Sequence, residues 1–287
     1  MKIIERTKTW LGLSLVIMLI GLFFMVTRGF NYGIDFTGGT LMEINLHKQV
    51  EISEVKSMIK SEDNNMSIGK IGEKKEIIQL RTTKSFDNQK RDEIFKKFQD
   101  KYKLKETDFL RSEQFGPSIG KEIRNKAVIS VGIATLGMLI YISLRFQLSY
   151  GIAAVIALLH DVFIVISFYA IFNIPVNSPF VAAMLTVVGY SINDTIVVFD
   201  RIRENMKYAK KKDYAAVADQ SINQTLSRSI NTSFTTLLAI VALYVMGVDS
   251  IKDFTLPLLA GISTGTFSSI FIASPIWVMI KNKKGNI

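Results

Sequence analysis

Six long apolar runs, most of them joined by short polar connections, organise this sequence. Each run is close to the roughly 20 helical residues that cross a hydrocarbon core about 30 Å thick. The pattern therefore predicts six transmembrane helices, over residues 10–27, 127–144, 151–174, 180–199, 229–248 and 254–280. Lys2, Arg6 and Lys8 precede the first run as in a signal peptide, but bulky residues stand at 23–26, where cleavage needs small ones. We expect this first segment to be retained as a helix.

The sequence between the first two runs is predicted to fold as one small domain, because about 95 polar-rich residues are too many for a loop. Alternating apolar and polar positions predict four strands, near 40–46, 66–71, 76–82 and 108–115. Apolar residues at helical spacing predict two amphipathic helices, one beginning near Ile52 and one near Ile94. The order strand, helix, strand, strand, helix, strand is that of a ferredoxin-like α+β domain.

Composition supports the membrane interpretation. The 287 residues are 48% hydrophobic with a mean hydropathy of +0.26, which leaves too much apolar surface for a water-soluble protein. Lys and Arg are concentrated at the N-terminus, at Arg145, in the segment 201–228 and after residue 280, and this side is predicted to be cytoplasmic. Lys252 is an exception on the opposite side. Topology and lipid head groups thus account for the net charge of +10, and no nucleic-acid partner is predicted.

These patterns predict an α-helical membrane protein with six transmembrane helices and a small ferredoxin-like extracytoplasmic α+β domain. The predicted parts are a cytoplasmic stub (1–9), the first span (10–27), the outer domain (28–125), a five-helix membrane domain (126–280) and a cytoplasmic tail (281–287). The absence of Cys excludes disulfides and thiol catalysis. We find no metal-ligand spacing, predict neither a cofactor nor enzymatic activity, and expect His47 to be a solvated surface residue.

Two glycine-bearing stretches bracket the predicted outer domain, GIDFTGGT and FGPSIGKEIR. Glycine permits positive φ and close backbone approach, so both are predicted to be junctions between a strand and a helix end, with an ordinary turn as the alternative. A phosphate-binding loop is disfavoured because the strand, Gly-Lys and helix order is missing. The junction residues are Gly33, Asp35, Gly38, Gly39, Gly116, Pro117 and Gly120.

Asp194 interrupts the fourth apolar run, within the stretch GYSINDTIVVFDRIREN. It precedes Asp200, the expected interfacial end of its helix, by six residues, which places it about 9 Å inside the hydrocarbon. An ionised group at that depth costs on the order of 2.5–3.5 kcal/mol, so we expect it to face protein or water and to have a partner. Ser191 and Tyr190 share its helical face as hydrogen-bonding candidates. Asn193 points about 100° away and is expected to bond another helix.

A cationic partner for Asp194 is predicted from the length of the fifth run. Its strictly apolar part, residues 234–248, gives about 22 Å of helix, short of the ~30 Å required. Extension toward the cytoplasm draws in polar residues up to Arg228, with Asn231 on the same face. The interpretations are an Asp194–Arg228 pair that opens when the acid is protonated, a static pair, or an arginine that reaches lipid head groups.

Two other features of the runs indicate polar contacts or helix packing. His160 and Asp161 lie near the centre of the third run, where they form either a proton relay or a hydrogen-bonded structural pair. Gly261 and Gly265 form a G-x-x-x-G pattern in the last run. Small residues let helices approach closely, so this pattern predicts a packing face, within the chain or against another one.

Taken together, six blocks resemble the SecF branch of the SecD/SecF family of bacterial protein-export proteins. In chain order they are GIDFTGG, FGPSIGKEIR, HDV, GYSINDTIVVFDRIREN, LSRSINTS and STGTFSSIFIASP. They extend over nearly the whole chain, and SINDTIVVFDRIREN is the most specific of them. SecD-like chains share the first block but carry a much larger outer domain, so the modest insertion in this chain favours the SecF branch.

The resemblance implies half of an RND-type transporter in the bacterial cytoplasmic membrane. Such a subunit would pair with SecD, associate with the SecYEG channel and act after the SecA motor. It would use the proton-motive force to help the unfolded polypeptide leave on the outer side. Carried over by motif, Asp194 would be the proton-path acid and Arg228 its cationic counterpart, whereas the roles of His160 and Asp161 follow from their depth and chemistry.

Three alternatives are open from the sequence. A proton-driven RND-type half-transporter for lipid or small molecules would need an apolar pocket of substrate size in the outer domain. An intramembrane aspartyl protease would need two carboxylates in one site and a G-x-G-D context, whereas Asp194 follows GYSIN. A structural scaffold would lose assembly, and not its proton response, when Asp194 is changed.

Overall fold

In the computed structural model of the chain, residues 2–64, 66–72, 74–209 and 213–285 are described. Lys210, Lys211 and Lys212 of the predicted cytoplasmic segment, and the last two residues of the predicted tail, lie outside the described residues. In chain order the elements are α1 (Thr7–Arg28), α2 (Ile34–Thr37), β1 (Gly39–Asn45), α3 (Ile52–Ile59), β2 (Ser67–Ile71), β3 (Ile77–Thr82), α4 (Asn88–Tyr102), β4 (Phe109–Phe115), α5 (Pro117–Arg145), α6 (Leu148–Ile171), α7 (Ser178–Met206), α8 (Tyr214–Met246), α9 (Asp249–Ser268), a π-helical segment (Ser269–Ala273) and α10 (Ser274–Gly285).

The six predicted transmembrane helices are all present among the described residues, which confirms that part of the predicted fold. The differences lie at the helix ends. Helix α5 begins at Pro117, so residues 117–125, expected in the outer domain, belong to a membrane helix; proline at the first position favours a helix start. Helix α8 begins at Tyr214, well before residue 229, because its first turns are amphipathic and an apolar run does not detect them.

The α+β domain has the predicted ferredoxin-like order of elements. Its four strands form an antiparallel sheet in the order β2-β3-β1-β4. Met42 on β1 stands between Leu80 on β3 and Ser112 on β4. Alternate residues of the central strands bury one sheet face against α3 and α4, where Val55, Ile94 and Phe98 complete the core. The alternation of apolar and polar residues in the sequence therefore corresponds to a sheet with one face buried against helices.

His47 is exposed, as expected, but it has a partner in the domain. Its Nε2 lies 2.8 Å from Oδ1 of Asp108, and 61% of its side chain is exposed. The two residues meet because β1 pairs with β4, which brings the end of β1 beside the turn that precedes β4. The contact depends on the pairing of β1 with β4. A single sequence does not reveal which strands pair.

Glu62 joins the end of α3 to α4 through two lysines. Its carboxylate accepts from Lys90 Nζ at 2.7 Å and also pairs with Lys97 Nζ. These two hydrogen bonds hold the pKa of the Glu62 carboxyl near 2, below its usual 4.5. A carboxyl whose pKa is lowered by folding contributes stability above the unfolded pKa, and that contribution is lost as the pH falls toward the folded pKa.

Glu62→Gln is therefore expected to loosen the outer domain at neutral pH. The half-exposed lysines leave the pair screened by solvent, so we expect a loss of about 1 kcal/mol, or roughly fivefold faster hydrogen exchange along α4. Exchange measured on wild type and variant at equal pH should converge as the pH falls from about 4.5 toward 2. Glu106→Gln, an exposed carboxylate in the same domain, is the control; equal acceleration in both variants would contradict the assignment.

Helices α6, α7 and α9 form the centre of the membrane part. About half of the residues in their apolar windows are buried, whereas fewer than one in five are buried in α1, α5 and α8. Gly261 and Gly265 of α9 face α7 of the same chain. A Cβ at Gly265 would lie 2.9 Å from Ser191 Cβ, and one at Gly261 would lie 2.3 Å from Val187 Cγ2. The G-x-x-x-G face of α9 therefore packs against α7 of the same chain.

Candidate functional site

Asp161 stands at the centre of the first of two polar clusters in the bundle. Its Oδ2 accepts from Ser191 Oγ of α7 at 2.6 Å and from Ser268 Oγ of α9 at 2.8 Å. Its Oδ1 lies 3.0 Å from His160 Nδ1, and His160 Nε2 lies 2.8 Å from Ser14 Oγ of α1. Both His160 and Asp161 are buried. Four helices therefore share one chain of groups with exchangeable protons, which we call the Asp161 cluster.

Asp194 belongs to a second cluster, on the same helix as Ser191 and one turn further along. Ser233 Oγ of α8 donates to Asp194 Oδ2 at 3.4 Å, and Thr266 Oγ1 of α9 donates to Ser233 Oγ at 2.6 Å. Asp194 is 3% exposed. We call these three residues the Asp194 cluster. Because a hydroxyl both donates and accepts, this surrounding can satisfy the carboxyl group in either protonation state.

Helices α7 and α9 connect the two clusters. Thr195 Oγ1, next to Asp194, lies 2.8 Å from Ser269 Oγ, and Ser269 Oγ also donates to the Ser191 carbonyl at 3.3 Å. Ser269 is the first residue of the π-helical segment that follows α9. Such segments interrupt the regular hydrogen bonding of a helix and are frequent at functional sites. The last span thus changes its winding at the point where it contacts the acids.

Arg228 does not pair with Asp194 in this structure. Among the described residues no acid lies within ion-pair distance of Arg228, which is exposed on α8. The predicted common membrane level is also wrong, because the contacts Tyr190–Thr236 and Asp194–Ser233 place Asp194 opposite Ser233. Arg228 lies about 7 Å further along the helix axis. An alternating Asp194–Arg228 pair stays a prediction.

The other predicted neighbours of Asp194 have different contacts. Ser191 bonds Asp161, and Tyr190 Oη donates to Thr236 Oγ1 at 3.2 Å. Asn193 is exposed, and no side chain in the described ranges gives it a hydrogen bond. Asn231 on α8 is likewise exposed. The exposed amides lie on two neighbouring membrane helices, where contact with lipid is unfavourable.

The first junction motif holds the N-terminal end of α7. Asp35 Oδ2 accepts from the Ser178 N–H at 2.7 Å, and the Gly33 N–H donates to the Val176 carbonyl at 2.8 Å. A Cβ at Gly33 would lie 1.7 Å from Asn177 Oδ1 and 2.9 Å from the Val176 carbonyl oxygen, so a larger residue would force the buried Asn177 side chain and the backbone to shift. A carboxylate at a helix N-terminus also interacts favourably with the helix dipole. The helix that carries Asp194 therefore begins on this motif.

The remaining junction glycines fit close backbone contacts. Gly38 and Gly39 have φ of +79° and +145°, and a Cβ at Gly39 would lie 2.1 Å from the Thr82 carbonyl oxygen. Gly116 is the N-cap of α5 and Pro117 its first residue. A Cβ at Gly120 would lie 2.4 Å from the Phe36 carbonyl oxygen. The two motifs thus meet through α2 and α5, in a strand-to-helix junction as predicted from the glycines.

Arg81 connects the sheet to the last membrane helix. Its Nη1 lies 2.9 Å from Asp253 Oδ2 in the first turns of α9, and Asn177 Nδ2 donates to the same oxygen at 3.2 Å. The N-terminal ends of α7 and α9 are therefore both bonded to the α+β domain or its junction. We call Arg81, Asn177 and Asp253 the Asp253 bridge. No local sequence pattern indicates this bridge, because its residues lie far apart in the chain.

Several hydroxyl residues of the clusters were also missed. They are Ser14, Ser233, Thr266, Ser268 and Ser269. Serine and threonine are common in membrane helices, where their hydroxyls can donate hydrogen bonds to backbone carbonyls of the preceding turn. Their presence alone therefore predicts no site. One usable signal existed, since Ser14 interrupts an otherwise apolar first run. Among the described residues, no group of three or more metal-ligating side chains occurs.

Two family models match the chain. The model described as protein export membrane protein SecD/SecF, C-terminal, matches residues 94–283, and that for the SecD/SecF GG motif matches residues 23–50. The second match contains the GIDFTGGT junction, and the first contains both polar clusters except for Ser14.

Curated relatives and solved structures agree with these matches. The chain is 36% identical to the protein translocase subunit SecF of Sebaldella termitidis, over 99% of this chain and 93% of that one. It is 39% identical to SecF of Haemophilus influenzae, over 92% and 81%. A crystal structure of SecDF, a translocon-associated membrane protein from Thermus thermophilus, superimposes with a TM-score of 0.84 at 35% identity. That match covers 98% of this chain and 39% of the longer SecDF chain.

Proposed function

This chain belongs to the SecD/SecF family of protein-export membrane proteins, and on that premise we propose that it assists Sec-dependent protein export as a SecF-type subunit. In this proposal it lies in the bacterial cytoplasmic membrane with both termini inside and the α+β domain outside. It pairs with SecD at the SecYEG channel. After SecA has pushed the polypeptide into the channel, the proton-motive force acts through this subunit to draw the polypeptide outward.

One observation carries the proposal: helix α7, which holds Asp194, and helix α9, whose hydroxyls belong to both polar clusters, are bonded to the α+β domain or its junction at their first turns. Helix α7 carries Asp194 and begins at the Asp35 carboxylate. Helix α9 carries Thr266 and Ser268 and begins at the Asp253 bridge. A change in hydrogen bonding at mid-membrane therefore has a direct mechanical route to the domain that faces the exported polypeptide.

The proposed cycle uses Asp194 as the group that gains and loses a proton. Protonation from the outside allows Asp194 to donate to Ser233, whereas the carboxylate can only accept. Loss of the proton toward the cytoplasm would draw a cation closer, and Arg228 is the nearest candidate along α8. The Asp161 cluster extends the path through Ser191 and Ser269. Each change in protonation thereby favours a different arrangement of α7, α8 and α9.

An exposed polar face on α7 and α8 supports pairing with a second membrane chain. Asn193, Arg228, Asn231 and Thr235 are all exposed in the spans. Polar and charged groups in contact with lipid are costly, so such a face is more stable when another helix covers it. In the proposal that helix belongs to SecD and supplies hydrogen-bonding partners for these residues.

The proposal is tested with membrane vesicles that carry the translocation channel. Removal of this chain should slow the release of a model exported polypeptide at the outer side, and a protonophore should cause the same defect in wild-type vesicles. The two treatments together should be no worse than either alone. Co-purification in mild detergent should recover a SecD-like chain and the channel. If export without this chain kept its full sensitivity to the protonophore, the proposal would be overturned.

Asp253→Asn is expected to uncouple the outer domain from the membrane helices. Asparagine keeps the contact with Asn177 but removes the charge that attracts Arg81, so the bridge weakens by about 1 kcal/mol. We expect proton-dependent export to fall about threefold to tenfold while assembly with the partner is preserved. The control is Asp92→Asn, an exposed carboxylate of the outer domain. Unchanged export in Asp253→Asn would exclude the bridge from coupling.

A further inference from the structure

The membrane bundle has a cavity of about 350 Å³ at the end that lies opposite the α+β domain. Four cations line it, Arg145, Arg203, Lys207 and Lys281, together with aromatic rings that include Tyr150 and Trp277. Its volume is within the range of about 300–1,000 Å³ that is usual for ligand sites. The cavity lies far from both polar clusters and takes no part in the proposed proton cycle.

The cavity has a surplus of positive charge. Arg203 Nη2 pairs with Asp200 at 2.5 Å, and Lys281 Nζ donates to Gln147 Oε1 at 2.7 Å. Arg145 and Lys207 have no acid within ion-pair distance among the described residues. Like charges so close together repel, and a bound anion would relieve the repulsion. The cavity is therefore suited to an anionic ligand.

Aromatic rings line the cavity beside these cations. Tyr150 stacks on Trp277 at 5.1 Å between ring centroids, and the Arg203 guanidinium lies 4.6 Å over the Phe146 ring. Trp277 is fully buried, and its indole Nε1 has no hydrogen-bond partner within the described part of the chain. Aromatic rings together with Lys and Arg are typical of the head-group level of a membrane.

An apolar, exposed surface on a membrane helix adjoins the cavity. Leu144 and Leu148 flank Arg145 in sequence and are 83% and 55% exposed. Ile140 and Tyr141 continue the exposed apolar surface one turn deeper on α5. A soluble phosphate compound would contact the cations alone, whereas a phospholipid would contact both surfaces. We propose that this cavity binds the phosphodiester head group of an anionic phospholipid, with the acyl chains along α5.

The two tryptophans allow a direct test. Trp10→Phe leaves Trp277 as a reporter at the cavity, and Trp277→Phe leaves Trp10 as a reporter elsewhere in the same chain. The protein is placed in phosphatidylcholine vesicles that contain phosphatidylglycerol with brominated acyl chains. Quenching of Trp277 should saturate at a lipid fraction about tenfold lower than with brominated phosphatidylcholine. Trp10 should show no comparable preference.

Charge-removing variants distinguish a specific lipid site in the cavity from general electrostatic attraction of anionic lipid to the protein. Arg145→Gln/Lys207→Gln/Lys281→Gln should abolish the preference at Trp277. Arg6→Gln/Lys8→Gln/Lys283→Gln removes the same charge outside the cavity and should keep it. Lys207→Gln alone, at an exposed position, should give a partial loss even if the triple variant is poorly folded. Equal loss in both triple variants, or a preference that survives in the cavity variant, would overturn the proposal. Displacement of the lipid by millimolar inorganic phosphate would overturn it in favour of a free-phosphate site.

Discussion

Asp194→Asn is expected to remove about nine-tenths or more of proton-dependent export while the protein still assembles. Asparagine has the shape of aspartate and can still bond Ser233, so the packing of α7, α8 and α9 should be preserved. It cannot gain or lose a proton in the relevant range. Export of a model polypeptide into vesicles, with and without an imposed proton gradient, measures the effect, and co-purification of the partner measures assembly.

Asp200→Asn is the matched control for this variant. Asp200 lies on the same helix, but it is exposed and pairs with Arg203 near the helix end. We expect its replacement to leave the gradient dependence unchanged. If Asp194→Asn assembled normally and still responded to the gradient, Asp194 would have no role in coupling. If it failed to assemble, the acid would serve as a structural group.

The fold was predictable because each of its parts has a periodic pattern. Apolar runs of membrane-spanning length identify α1 and α5 to α9, and alternation identifies the strands of the outer domain. The pattern fails where helices leave the apolar run. The first turns of α8 are polar on one face, and Asp219 there accepts from the backbone N–H groups of Ile3 and Ile4. Such a contact between distant parts of the chain has no counterpart in local hydropathy.

The candidate site was predictable in its acids but not in its partners. Asp161 and Asp194 are conspicuous because charge in an apolar run is costly. Their partners are hydroxyls of other helices, such as Ser233 and Ser268, which depend on how the helices are rotated and aligned. Arg228 is expected level with Asp194 when the apolar residues alone mark the limits of the span. The antiparallel contacts of α7 and α8 place Ser233 there instead.

The π-helical segment shows a further limit. Serine and phenylalanine in STGTFSSIFIASP are compatible with a regular helix, and nothing in their order specifies five residues of π-helix. At this point Ser268 and Ser269 donate to buried oxygens on α6 and α7. The irregularity therefore coincides with the tertiary contacts of the site. Its position is a property of the assembled bundle.

Gly265→Val is expected to destabilise the bundle at the site itself. A Cβ there would lie 2.9 Å from Ser191 Cβ and 3.3 Å from Ser191 Cα, so α9 must move away from α7. Overpacking of this kind costs about 1–3 kcal/mol and sometimes more. Movement of α7 would also weaken the 2.6 Å bond from Ser191 to Asp161. We expect thermal unfolding of the detergent-solubilised protein, scanned at a fixed rate, to occur several degrees lower.

Gly137→Val separates this effect from the general effect of valine in a membrane helix. Gly137 lies on α5, and a Cβ there meets nothing within 4 Å. Its replacement should leave the unfolding temperature nearly unchanged. Equal losses in the two variants would show that helix propensity, and not contact between α7 and α9, sets the stability. A loss confined to Gly265→Val means that close approach of these two helices is required to hold Ser191 against Asp161, and the packing glycine is then part of the polar site.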